Sequence, residues 1–174
     1  MQFLKQFISI IVISVLSTCL SAQVTFYNNA TVSVMPGAIM QINGNVELNG
    51  SGSPGLISSF FDNNGDVTVS NSINNGDLLI DDAGNAAVYI GGGTTHIEGD
   101  WINKGTFIAQ SSTIELTGSN QLITGDQLTI FNNLTLLGTG VKTQTIDVFI
   151  NSKLSLNDRE LATDSFTMYV LNPD

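Results

Sequence analysis

The chain has 174 residues, with 5 Lys+Arg against 15 Asp+Glu, one His and one Cys, for a formal net charge of −10 at pH 7. Nucleic-acid binding is excluded, because a phosphate backbone is held by clustered Lys and Arg, and Lys5, Lys104, Lys142, Lys153 and Arg159 are scattered along the chain. A hydrophobic content of 42% argues against disorder, and with only 11% charged residues solubility rests on Asn, Ser, Thr and a diffuse negative field.

The first expected element is a leader. Residues 1–22 begin with one positive charge at Lys5, continue through the apolar run from Phe7 to Leu20, and end Leu20-Ser21-Ala22 before Gln23, the layout of a secretory signal peptide. The run is shorter than the roughly 20 apolar residues of a spanning helix and is interrupted by Ser9, Ser14, Ser17 and Thr18. Cleavage before Gln23 removes Lys5 and leaves 4 basic against 15 acidic residues, a formal charge of −11. Cys19 is the single cysteine and lies in the leader, so the exported chain forms no internal disulfide. A second reading treats Leu16-Ser17-Thr18-Cys19 as a lipobox, with Cys19 the lipidated first residue of a lipoprotein.

From Gln23 onward, short runs alternate apolar and polar residues between Gly and Asn: Val46-Glu47-Leu48, Val67-Thr68-Val69, Leu128-Thr129-Ile130, Leu134-Thr135-Leu136 and Leu154-Ser155-Leu156. Period two places each apolar pair on one face of a strand, and each face needs a partner surface. The glycines form two ladders spaced by about 20 residues, as in repeat architectures: Gly44, Gly65, Gly84, Gly105 and Gly125, then Gly55, Gly76, Gly99, Gly118 and Gly138. Asn63-Asn64-Gly65-Asp66-Val67 and Asn74-Asn75-Gly76-Asp77-Leu78 repeat one order, a turn of residues that tolerate positive φ followed by a strand. The expectation is an all-β fold, a right-handed parallel β-helix, with an antiparallel β-sandwich as the alternative because Asn-Gly also closes hairpins. Residues 23–140 form the repeats. Residues 141–174 form a more charged strand segment ending on Phe166 to Val170, expected to belong to a longer protein.

Several residues are candidates for chemistry. Asp66 and Asp77 open equivalent strands and, if stacked, form a carboxylate pair suited to calcium, the one cofactor expected; the bland alternative is a pair of turn residues. Asp81, Asp82 and Asp100 are the carboxylates a polysaccharide lyase or glycosidase would need, although adjacent strand residues such as Asp81 and Asp82 face opposite ways. Arg159, between Asp158 and Glu160, reads as a surface ion pair, and His96 as a solvent-facing residue on a strand edge. Trp101 occupies the apolar slot of Val67 and Leu78 and is expected in the core. Gly91-Gly92-Gly93 lacks the Lys-Ser or Lys-Thr of a phosphate loop.

The leader ending Leu20-Ser21-Ala22-Gln23, the Asn-Asn-Gly-Asp turns, Gly99-Asp100-Trp101-Ile102-Asn103-Lys104-Gly105-Thr106-Phe107 and Leu116-Thr117-Gly118-Ser119-Asn120-Gln121-Leu122-Ile123-Thr124-Gly125 carry a resemblance. Over much of residues 30 to 174 the chain resembles the repetitive N-terminal regions of large bacterial surface proteins exported by the type IX secretion route, some of them associated with gliding or adhesion. The resemblance implies location at a Gram-negative cell surface. The functional expectation is a non-catalytic structural or adhesion module, with surface glycans or other surface proteins as partners.

Overall fold

The computed structural model describes residues 26–27, 30–49, 59–70, 77–81 and 87–172. The expected leader with Cys19, the second Asn-Asn-Gly turn and Asp82 lie outside the described residues. Three sheets carry the chain. The first contains, in spatial order, β1 (Phe26–Tyr27), β4 (Val46–Asn49), β7 (Leu78–Asp81), β10 (Trp101–Asn103), β13 (Gln121–Gly125), β15 (Val141–Gln144) and β17 (Glu160–Ala162). The second contains β2 (Ala30–Val34), β5 (Ser59–Asn63), β8 (Ala87–Gly91) and β11 (Thr106–Ile108). The third contains β3 (Ile39–Asn43), β6 (Asp66–Ser70), β9 (Thr94–Ile97), β12 (Thr113–Leu116), β14 (Thr129–Leu136), β16 (Val148–Ser155) and β18 (Met168–Val170).

Each described pairing is parallel, and each strand pairs with its counterpart from the previous coil. That is a parallel β-helix and rules out the sandwich, whose hairpins are antiparallel. Sheets one and three run across residue 140 without a break, through β13 to β15 and β14 to β16. Among the described residues no helix is long and apolar enough to cross a membrane.

The coil length is not constant. Side-chain oxygens of Asn45, Asp77, Asp100, Asn120 and Asp147 each accept a backbone N–H from the next coil, at separations of 32, 23, 22, 21 and 20 residues. The second sheet stops at β11, after which the eight-residue strands β14 and β16 carry the chain around without a separate side. The expected period of about 20 therefore belongs to the later coils. Gly118 and Gly138 do stack, and a Cβ on Gly138 would fall on the Gly118 carbonyl. The first glycine ladder is not one column: Gly44 lies between β3 and β4, Gly65 between β5 and β6, and Gly105 between β10 and β11, three different corners.

Period-two patterning selects the core. Val46 and Leu48, Val67 and Val69, and Leu134 and Leu136 all point inward and are buried. Trp101 lies over Leu78 in register and is buried as expected, whereas Val67 lies in the third sheet between Met40 and Thr95. Trp101 meets Phe107 and Phe131 edge-on, with centroids 4.7 and 5.1 Å away, and Tyr89 stacks on Phe61 at 5.4 Å. Leu128-Thr129-Ile130 runs the other way round from its expected phase: Thr129 is buried and Leu128 is exposed. A register irregularity between Phe131 and Asn133 shifts the alternation by one residue, so Phe131 and Leu134 both face inward from one strand. Leu154 is half-buried against the core, while Leu156 points outward and is exposed.

The turn asparagines Asn63, Asn64 and Asn103 do not take the positive φ that the turn pattern suggests; Asn63 and Asn103 act through their side chains. Asn63 is buried; its Oδ1 accepts the Gly65 N–H (3.0 Å), and its Nδ2 donates to the Thr94 carbonyl (2.8 Å) and Thr95 Oγ1 (3.0 Å) one coil on. Asn103 repeats the device with Gly105, the Leu128 carbonyl and Thr129 Oγ1. Gly65 is required by crowding rather than by positive φ, since a Cβ there would lie 2.7 Å from the Met35 carbonyl.

Candidate functional site

Alternation gives the third sheet an outer face as regular as its inner one. One outward row, in register across successive coils, consists of Gln41, Thr68, His96, Glu115, Thr135 and Ser155. At about 4.8 Å per strand these six positions span about 24 Å along the axis. The flanking row contains Asp66, Thr94, Thr113, Asn133 and Lys153. The face is polar because these strands cover the core with one side only.

His96 stands at the centre of this face. Its Nε2 lies 3.0 Å from Asp66 Oδ1 and its Nδ1 lies 2.7 Å from Glu115 Oε2, so three successive coils each contribute one group. The imidazole side chain is 28% exposed, on an interior strand of the sheet rather than on the expected edge. Both ring nitrogens face carboxylates, and Asp66 Oδ1 is buried without a hydrogen bond, so its contact with Nε2 is a close approach of polar groups and not a hydrogen bond. The carboxylates lie at different ring nitrogens and do not converge; among the described residues no group of three His, Cys, Asp or Glu is placed to hold a metal ion.

Asp66 and Asp77 are not brought together. Asp66 opens β6 in the third sheet, beside His96, whereas Asp77 precedes β7 in the first. The register stacks Asp77 on Asp100 instead: Asp77 Oδ1 accepts the Asp100 N–H (2.8 Å), and Asp100 Oδ1 accepts the Leu122 N–H (2.7 Å). Burial raises the Asp100 pKa above the ordinary carboxylate value; the Leu122 N–H pulls it back, and the neighbouring Asp77 charge raises it further. These carboxylates staple coil to coil. Asp81 ends β7 half-buried, and Arg159 donates Nε to the Asn157 carbonyl at 3.4 Å.

Two shallow open depressions flank these features. One, of about 490 Å³, is lined by Asp100, Asn120, Gln121, Leu122, Val141 and Thr143; the other, of about 580 Å³, by Gln41, Ile42, Asn43, Thr68, Ser70 and Glu98. Neither contains two facing carboxylates with a basic group.

The residue that sequence reasoning missed is Lys142. It points inward from β15, fully buried, and its ammonium donates to the carbonyls of Gly118 (2.8 Å), Ser119 (2.6 Å) and Thr139 (3.1 Å). One coil earlier Gln121 occupies the same column, its Nε2 donating to the Ile97 and Gly99 carbonyls and its Oε1 accepting the Gly118 N–H. Burial, and then the nearby Arg159, lower the Lys142 pKa to about 8. Tyr89, buried with its hydroxyl on Thr95 Oγ1, is raised by desolvation to about 12.

Comparison of the chain with protein-family models, with curated proteins and with solved structures finds no match.

Proposed function

We propose that the chain is a non-catalytic structural or adhesion module of an exported cell-surface protein, reading surface glycans or surface proteins with its outer sheet faces. The observation that carries this reading is the polar row from Gln41 to Ser155, repeated coil after coil on a parallel sheet. Such a face offers hydroxyl, amide and carboxylate groups at a fixed spacing, matched to a polymer with its own repeat. Of the acidic residues an enzyme reading would use, Asp100 supports the same view, because it holds a backbone N–H of the next coil. The leader layout of residues 1–22 and the resemblance to surface proteins of the type IX route support export.

The test is incubation of the purified chain with a panel of surface and plant polysaccharides, recording retention on each polymer and release of new chain ends. Retention without new ends is the expected result, weakened by Glu115→Ala or His96→Ala. New ends that vanish when Asp81, Asp82 or Asp100 is replaced would overturn the reading and make the chain a carbohydrate-active enzyme.

A further inference from the structure

The outer face of the first sheet carries the depression of about 490 Å³ lined by Asp100, Asn120, Gln121, Leu122, Val141 and Thr143. Its floor follows from the register. Trp101, Gln121, Ile123, Lys142 and Gln144 point inward and are buried, so Leu122, Val141 and Thr143 between them point outward. Asp100, Leu122 and Thr143 make one column across three coils, and Asn120 and Val141 make the next. At about 4.8 Å per strand the longer column spans about 10 Å, room for a sugar ring and its substituents.

The polar groups of this floor are not spent. Asp100 gives one carboxylate oxygen to the Leu122 N–H (2.7 Å); among the described residues the other accepts no hydrogen bond, and no Lys or Arg pairs with it. Lys142 points the other way and uses its ammonium on three carbonyls. Burial, and in smaller measure the Asp77 charge, disfavour the ionised form of Asp100, so what the depression lacks is a positive charge. Asn120 accepts the Val141 N–H through Oδ1 (2.9 Å) and keeps its amide N–H groups, while the Thr143 hydroxyl bonds to no described residue. Leu122, 40% exposed, and half-buried Val141 lay an aliphatic patch between these groups.

We infer that this depression is a subsite for a sugar unit carrying a protonated amine, as in a glucosamine polymer. The ammonium lies on the free oxygen of Asp100, the C–H face of the ring covers Leu122 and Val141, and the hydroxyls meet Asn120 and Thr143. Sugars bearing carboxylate or sulfate are repelled by Asp100 and by Glu160, which follows Val141 in its column. The inference rests on the glycan reading and gives it a second face and a chemical class.

The probe is a fluorescently labelled glucosamine oligomer, compared at neutral pH with its fully N-acetylated counterpart of the same length. Saturable binding of the amine form, at least about tenfold tighter than the acetylated form, is expected by fluorescence anisotropy. Asp100→Asn keeps an oxygen for the Leu122 N–H and removes the charge, and Leu122→Lys supplies the cation from the chain itself at an exposed side chain. Each should abolish the preference for the amine, while Asp126→Asn, which removes a charge at an exposed position elsewhere, should leave it intact. No binding of the glucosamine oligomer, equal affinity for the two oligomers, a preference that survives either substitution in the depression, or an equal loss with Asp126→Asn overturns the inference. Retention of the chain on some other polysaccharide would then leave the glycan reading standing alone, and retention on none would remove both. A lysine oligopeptide bound as tightly, with the same dependence on Asp100, would overturn the chosen occupant and put a protein in its place.

Discussion

Lys142 stands at an inward position of β15, with Gln121 of the coil before on one side and Leu161 of the coil after on the other. Its three donors meet three carbonyls of the neighbouring turns, so the ammonium does the work of an apolar residue and a cap together. Lys142→Met keeps the volume and takes the ammonium donor from the carbonyls of Ser119 and Thr139, while the Gly118 carbonyl keeps the Thr139 N–H (2.9 Å), which should cost about 3 kcal/mol in urea unfolding at neutral pH. The pH dependence has a definite sign. The folded pKa of about 8 lies below the ordinary lysine value of 10.5, so between these values the unfolded chain binds more protons and stability rises with pH. The Lys142→Met chain should lack that rise. A wild-type stability curve that is flat or falling through pH 8 to 10 would contradict the assignment, after allowance for Tyr89, whose stabilising contribution is lost only above pH 10.

At the scale of turns and strands, the same residue type serves two different needs. Gly37 follows Pro36 with φ of +78° in a turn closed by the Ala38 N–H on the Met35 carbonyl (3.0 Å), and a Cβ there meets nothing within 4 Å. Gly37→Ala should therefore cost only the backbone strain, about 1 kcal/mol. Gly118 lies under the next coil with ordinary φ, but a Cβ on it would strike the Glu98 carbonyl, so Gly118→Ala should cost about 3 kcal/mol by forcing two coils apart. Equal losses for the two variants in thermal or urea unfolding would show that coil spacing is not what selects glycine at Gly118. This distinction was only half legible in the sequence. The Asn-Asn-Gly-Asp order marks the corner at Asn63, and period two marks Val67 with Val69 as inward, because both are local patterns. Buried Lys142 and Thr129 were not legible, since alternation alone reads the branched Val141 and the apolar Leu128 as the inward residues. What turned the strands over was distant: the Asn103 amide reaching Thr129 and the carbonyls that meet Lys142.

Across the whole molecule, function depends on which coil lies over which. The cluster of Asp66, His96 and Glu115 comes from three coils, and the stacking of Asp77 on Asp100 from two; neither has a local signature. Coils of unequal length hide the register from a search for one period: the shared Asn-Asn-Gly-Asp motif pairs Asp66 with Asp77, and no local pattern pairs it with His96. The stacking itself can be measured directly at Thr124 of β13 and Thr145, the residue that follows β15, whose hydroxyls lie 2.7 Å apart across one coil. With Cys19→Ser in place, Thr124→Cys combined with Thr145→Cys should close an intramolecular disulfide under mild oxidation, seen as the loss of two hydrogens in intact mass. A control with Thr124→Cys and Thr135→Cys, on different sheets, should stay reduced. Failure of the first pair to close, or equal closure of both, would contradict the coil-on-coil register on which the polar face depends.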